Sequence, residues 1–174
     1  MKSSSVMASA LPNLTLVDLF AGCGGLSLGM ENAGFTPVFV SELNEHAMAT
    51  YLANRHHELG GRAFAEMPHL RCHDAHELQG SRLEKLVEDL EALGLRLPRE
   101  GDREECSTLD LLAGGPPCQG YSGMGHRRSY SVDKRDLPSN QLYQRMAGVI
   151  RRLRPRVFLF ENVRSFQRLI MLTS

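Results

Sequence analysis

Three short stretches of this chain hold residue types that can do chemistry together. The first is Gly114-Gly115-Pro116-Pro117-Cys118-Gln119-Gly120-Tyr121-Ser122. Its thiol, Cys118, follows the apolar run 109–113, which reads as a buried strand ending in a turn. Ligands of open α/β sheets gather where strands end, so Cys118 stands where a nucleophile is useful. Arg127 and Arg128 lie close in sequence and favour a thiolate. The second stretch is Gly22-Cys23-Gly24-Gly25, bare backbone after the apolar run 14–20 that a cofactor can approach closely. The third is Glu161-Asn162, which closes the apolar run 157–160. A carboxyl in apolar surroundings tends to stay protonated and can donate a proton or a hydrogen bond. A thiol, a proton-donating carboxyl and a cofactor loop together point to an enzyme.

Two further acids fit this picture. Glu42 ends the apolar run 37–42, about one strand–helix unit past the glycines. A carboxylate there accepts the hydroxyls of an unphosphorylated ribose. Asp74 holds the matching place after a third, weaker run, within reach of an adenine, with a plain surface carboxylate as the alternative. The dinucleotide spacing G-x-G-x-x-G is not met, because Ser27 stands at its last position. Cys23 reads as a spacer that a cofactor would cover. His69, Cys72, His73 and His76 cluster but match no structural-zinc spacing, so no metal is expected.

Alternating strands and helices must position these residues. Strands are predicted over 14–20, 37–42, 68–72, 109–113 and 157–160. Helices are predicted over 26–32, 44–57 with Asn44 as N-cap, 81–93, and 141–154 ending before Pro155. Residues 95–107 read as a polar surface loop, and 120–140 as a long polar loop that is longer than connections usually need. Five strand–helix alternations specify a parallel sheet with helices on both faces. Residues 1–13 read as a disordered lead-in without the apolar core of a signal peptide.

Composition narrows the class further. A 174-residue chain with 42% hydrophobic residues and no tryptophan fits one globular domain. No apolar run is long enough for a membrane span, and four cysteines without a C-x-x-C pair suit reduced thiols in a cytoplasm. The net charge of zero hides a division. Residues 1–119 hold 9 Lys/Arg against 17 Asp/Glu, whereas 120–174 hold 11 against 3. The basic part begins directly after Cys118, which suits a polyanion near the thiol.

In this order the three stretches resemble the cytosine-5 DNA methyltransferases. Asp18-Leu19-Phe20-Ala21-Gly22-Cys23-Gly24-Gly25-Leu26-Ser27 is similar to that family's S-adenosylmethionine motif, residues 115–122 to its nucleophile motif, and Glu161-Asn162-Val163 to its acid motif. The resemblance implies a Rossmann-like S-adenosylmethionine-dependent fold. Cys118 would attack carbon 6 of a cytosine flipped out of double-stranded DNA, Glu161 would hold ring nitrogen 3, and Asn162 would orient the nucleophile loop. Phe20, Gly22, Gly24, Gly25, Glu42, Asp74 and Pro116 would line the cofactor. Gln119, Ser122, Arg127 and Arg128 would meet the nucleic acid as the 120–140 loop closes over it. The family's target-recognition region and C-terminal motifs have no counterpart in 14–174. That stretch is therefore expected to be an incomplete catalytic domain, truncated after the fifth strand, inactive by itself, and served by a complementing C-terminal subunit. A bacterial-type cytoplasmic enzyme of restriction-modification kind is the implied setting, whereas pairing with a restriction enzyme is a property of neighbouring genes and is not readable from the chain. The alternatives are a tRNA cytosine-5 methyltransferase and a non-catalytic remnant that binds S-adenosylmethionine or DNA.

Overall fold

A computed structural model of the chain describes residues 14–99, 102, 107–117 and 141–162. Five strands form one sheet in the order β5-β2-β1-β6-β7, every pairing parallel. They are β1 (Thr15–Leu19), β2 (Thr36–Ser41), β5 (Arg71–Cys72), β6 (Leu111–Gly114) and β7 (Val157–Phe160). A small antiparallel hairpin of β3 (Glu58–Leu59) and β4 (Arg62–Ala63) stands apart, and the sequence pattern does not announce it. Helices α1 (Gly25–Asn32), α2 (Glu45–Ala53), α3 (Gly80–Ala92) and α4 (Leu142–Leu153) supply the packing.

Local chemistry accounts for the boundaries. Asn44 caps α2, its side chain accepting from the Ala47 amide at 3.0 Å. At the end of α4, Arg154 turns left-handed (φ 45°) just before Pro155, which disfavours a helical residue before it. Pro37 has no amide to offer the ladder, and the β1–β2 register skips Val38, pairing Leu16 with Pro37 and Val17 with Phe39. The third predicted strand is shorter than its apolar run: Pro68–Leu70 forms a 3₁₀ turn and only Arg71–Cys72 pairs. Pro68 explains this, since its fixed φ suits the first position of a helical turn.

Alternate residues of β1 and β6 enter two apolar clusters. Leu16, Leu111 and Ala113 join a small one against Leu26 and Met30 of α1. Val17, Leu19 and Leu112 join a large one with Tyr51, Leu86, Leu90, Met146 and Val149 from the other helices. Leu95 and Leu97 also belong to the large cluster. Residues 95–97 are therefore pinned to the core, contrary to the surface loop expected from the charges around them. Gly114 joins β1, β6 and α4 at close range. A Cβ there would lie 2.7 Å from the Leu19 carbonyl oxygen and 3.2 Å from the Met146 sulfur.

Candidate active site

Because the sheet is parallel, the segments after β5, β2, β1, β6 and β7 leave from one edge. The strand order ranks them along it: Asp74, Glu42, the 20–24 turn, residues 115–117, then Glu161 and Asn162. Every one of these segments contains at least one residue singled out by its chemistry.

The 20–24 turn is tightly wound. Phe20, Gly22 and Gly24 all take positive φ (61°, 57° and 90°), a conformation that strains any residue but glycine. Hydrogen bonds hold it there. The Ala21 amide donates to the Ser41 carbonyl at 3.0 Å, and the Gly24 amide to Ala21 at 2.9 Å. Glu42 reaches across from β2: one carboxylate oxygen accepts the Gly22 amide at 2.8 Å, the other the Asn44 amide at 2.7 Å. Its remaining lone pairs stay available to hydroxyl donors. Leu43, next in sequence, is an exposed apolar side chain (69%) at this edge, and sequence reasoning passed over it.

Open space surrounds the positions where Gly22 and Gly25 would carry a Cβ. Bare backbone beside an accepting carboxylate and an apolar side chain could hold an adenosine-bearing cofactor. Asp74 lies two residues beyond β5, where its carboxylate accepts the His76 amide at 2.8 Å and caps a short 3₁₀ turn. Cys72, one of the residues weighed for metal, is buried and donates its thiol to the Asp74 carbonyl at 3.2 Å; burial pushes that thiol up. Among the described residues no group of three or more metal-ligating side chains forms.

On the other side of the turn, the Glu161 amide extends the β6–β7 ladder by donating to the Gly114 carbonyl at 3.0 Å. A Cβ placed on Gly115 would fall 2.8 Å from Glu161 Oε2, so the carboxyl lies directly against the start of the 115–117 segment. The Asn162 side-chain amide donates to the Pro116 carbonyl at 3.2 Å. Glu161 is exposed rather than enclosed; among the described residues β7 ends the sheet, and Val157 and Phe158 are themselves 60% and 57% exposed. The apolar enclosure read from the run 157–160 is thus absent among the described residues. Cys118, Gln119, Ser122, Arg127 and Arg128 lie outside the described residues, as do the 120–140 loop and the 1–13 lead-in.

Beneath the turn lies a polar network that the sequence reading missed. Asp18 is fully buried in β1, and its Oδ2 accepts the Ser27 hydroxyl at 2.5 Å. Ser27 has one proton to give, so Tyr51 donates to it at 2.8 Å. Burial raises the Asp18 carboxyl to about 6 and pushes the Tyr51 hydroxyl up as well. The available signal was a single carboxyl inside an otherwise apolar strand.

The family model for C-5 cytosine-specific DNA methylases matches residues 14–75 and 98–169. A sea urchin (Paracentrotus lividus) DNA (cytosine-5)-methyltransferase, PliMCI, is 38% identical over 156 residues, covering 88% of this chain and 8% of its own. The type II methyltransferase M.AgeI of Thalassovita gelatinovora is 31% identical over 147 residues, covering 84% and 27%. A crystal structure of an E. coli prophage protein, described as a candidate DNA modification methyltransferase, superposes with a TM-score of 0.53. It is 30% identical over 86% of this chain and 32% of its own. The chain therefore spans about a twelfth of the first relative and about a quarter of the second. By its sequence match and its sheet, the chain belongs to the C-5 cytosine-specific DNA methylase family.

Proposed function

We propose that this chain carries the cofactor- and cytosine-handling part of a DNA (cytosine-5)-methyltransferase. The observation that carries this reading is the convergence at β6 and β7. Glu161 sits against Gly115, and Asn162 holds Pro116, one strand away from the glycine turn. S-adenosylmethionine, when bound, supplies the methyl group. Glu42 would accept its ribose hydroxyls, with Phe20, Gly22, Gly24, Gly25, Asp74 and Pro116 around it.

Cys118, as thiolate, adds to carbon 6 of an extruded cytosine. The carbon 5–carbon 6 electron pair would then form the new bond from carbon 5 to the methyl group, while the bond from that methyl to the cofactor's sulfonium sulfur breaks and its electron pair stays on sulfur as a neutral thioether. Glu161 donates to ring nitrogen 3 and stabilises the charge that gathers there. Loss of the carbon 5 proton to water would re-form the carbon 5–carbon 6 double bond as the carbon 6–sulfur bond breaks, Cys118 leaving as thiolate and ring nitrogen 3 returning its proton to Glu161. Asn162 fixes the loop by its bond to Pro116, so the thiol meets the base in one geometry. The apolar exposure of β7 supports a partner polypeptide that covers this edge.

The test is transfer of labelled methyl to duplex DNA and to tRNA, by the chain alone and with the remaining region of a bacterial relative added in trans. Transfer to duplex DNA in the complemented mixture, lost in Cys118→Ser, is expected. Transfer to tRNA but not DNA, or cofactor binding without transfer to either, overturns the proposal.

A further inference from the structure

The proposed function does not use Arg55, although few arginines are placed like it. Its side chain is almost wholly buried (4% exposed), and it closes α2 against the start of α1. Nη2 donates to the Gly24 carbonyl at 2.7 Å, a contact spanning 31 residues of sequence. The guanidinium lies over the Tyr51 ring, 4.2 Å from its centroid. Nε stands 3.1 Å from a Glu31 carboxylate oxygen, an ionic contact too poorly aligned to be a hydrogen bond. Gly24 is the N-cap of α1, and its carbonyl also accepts the Leu28 amide at 2.9 Å. A Cβ at Gly24 would come within 2.7–2.8 Å of the Tyr51 ring and of both terminal nitrogens of the Arg55 guanidinium.

A buried cation beside the positive end of a helix is electrostatically unfavourable. Glu31, on the last turn of the same helix, and the Tyr51 ring offset that cost. Left-handed backbone at Phe20, Gly22 and Gly24 persists only where its surroundings over-determine it. Glu42 secures the Gly22 side of the turn, and Arg55 meets the Gly24 side.

We propose that Arg55 is a positioning residue for the cofactor, acting through Gly24 to lock the glycine turn in its ligand-ready shape. The proposal rests on the cofactor reading above for its ligand, but the lock itself can be tested without one.

Two measurements on the same variants decide it: calorimetric affinity for S-adenosylmethionine, and amide hydrogen exchange at Ala21, Gly24 and Val17. In Arg55→Met, the Ala21 and Gly24 amides should exchange faster while Val17 in β1 does not, and affinity should fall about tenfold. Arg55→Lys keeps the charge with fewer donors and should recover part of both, and Glu31→Gln should show a milder version of both effects. If Arg55→Met does not fold, Arg55→Lys and Glu31→Gln carry the test. Unchanged exchange at Ala21 and Gly24 overturns the lock, whatever happens to binding. Faster exchange with unchanged affinity overturns the role in cofactor positioning. Failure of the unaltered chain to bind S-adenosylmethionine refutes the cofactor reading instead, while the exchange data still judge the lock.

Discussion

The two halves of the site edge are built differently. On the β1–β2 side, the glycine turn stands on buried polar groups, Asp18, Ser27, Tyr51 and Arg55, each tied to another by a hydrogen bond or a cation–ring contact. On the β6–β7 side, the carboxyl of Glu161 is exposed and the strand leading to it shows much of its apolar surface. The first half owes its shape to its own packing. The second owes its shape to the β6–β7 ladder and to the Asn162–Pro116 bond. The methyl-donor half should therefore be rigid without a substrate, and the base-handling half should respond to whatever covers β7.

Equal truncations in the two halves should have unequal costs. Phe39→Ala, in the core of β2, should destabilise by about 4 kcal/mol in urea unfolding. Equal losses at Phe39 and at the exposed Phe158 would break the comparison.

Next comes pH. Asp18 is raised from 3.8 to about 6 by burial, so the native state holds its proton more tightly than the unfolded chain. Between those values the native state binds more protons, and stability falls as pH rises. The penalty is absent below about pH 4 and complete above about pH 6, near 3 kcal/mol. Unfolding free energies at pH 4 and pH 7.5 should show that decline in the unaltered chain and its absence in Asp18→Asn.

Smaller effects separate the halves by function. Gly24→Ala combines a left-handed φ with a clash against Arg55 and Tyr51, and should cost about 2 kcal/mol and weaken cofactor binding. Asn162→Ala removes the hydrogen bond to Pro116 at the other half and should cost about 1 kcal/mol. It should slow attack on the base more than it weakens S-adenosylmethionine binding, a split that calorimetry and single-turnover kinetics can read. Phe158→Ala closes the series at under about 0.5 kcal/mol.

Legibility in the sequence follows the same division. The strands that carry the site were readable because long apolar runs end in glycine or a lone polar residue, as at 14–20 and 109–113. The placement of Glu42 beside Gly22 followed from a strand–helix–strand rhythm, and the structure brings the two within a hydrogen bond. The Arg55–Gly24 contact was not readable, because nothing local marks a partner 31 residues away. The exposure of β7 was legible only in part, because its apolar run reads as a buried-type strand. An apolar run such as Val157 to Phe160 reads as buried whether or not neighbouring polypeptide covers it. The shortened β5 shows propensity yielding to Pro68.

The central claim is that Cys118 and Glu161 act on one cytosine. It is tested most directly with duplex DNA bearing 5-fluorocytosine, whose carbon 5 fluorine cannot leave as a proton does and so holds the enzyme at the adduct. The complemented chain with S-adenosylmethionine should give a band on a denaturing gel that contains both protein and DNA. That band should be lost in Cys118→Ser and reduced in Glu161→Gln. An adduct that survives Cys118→Ser would contradict the account.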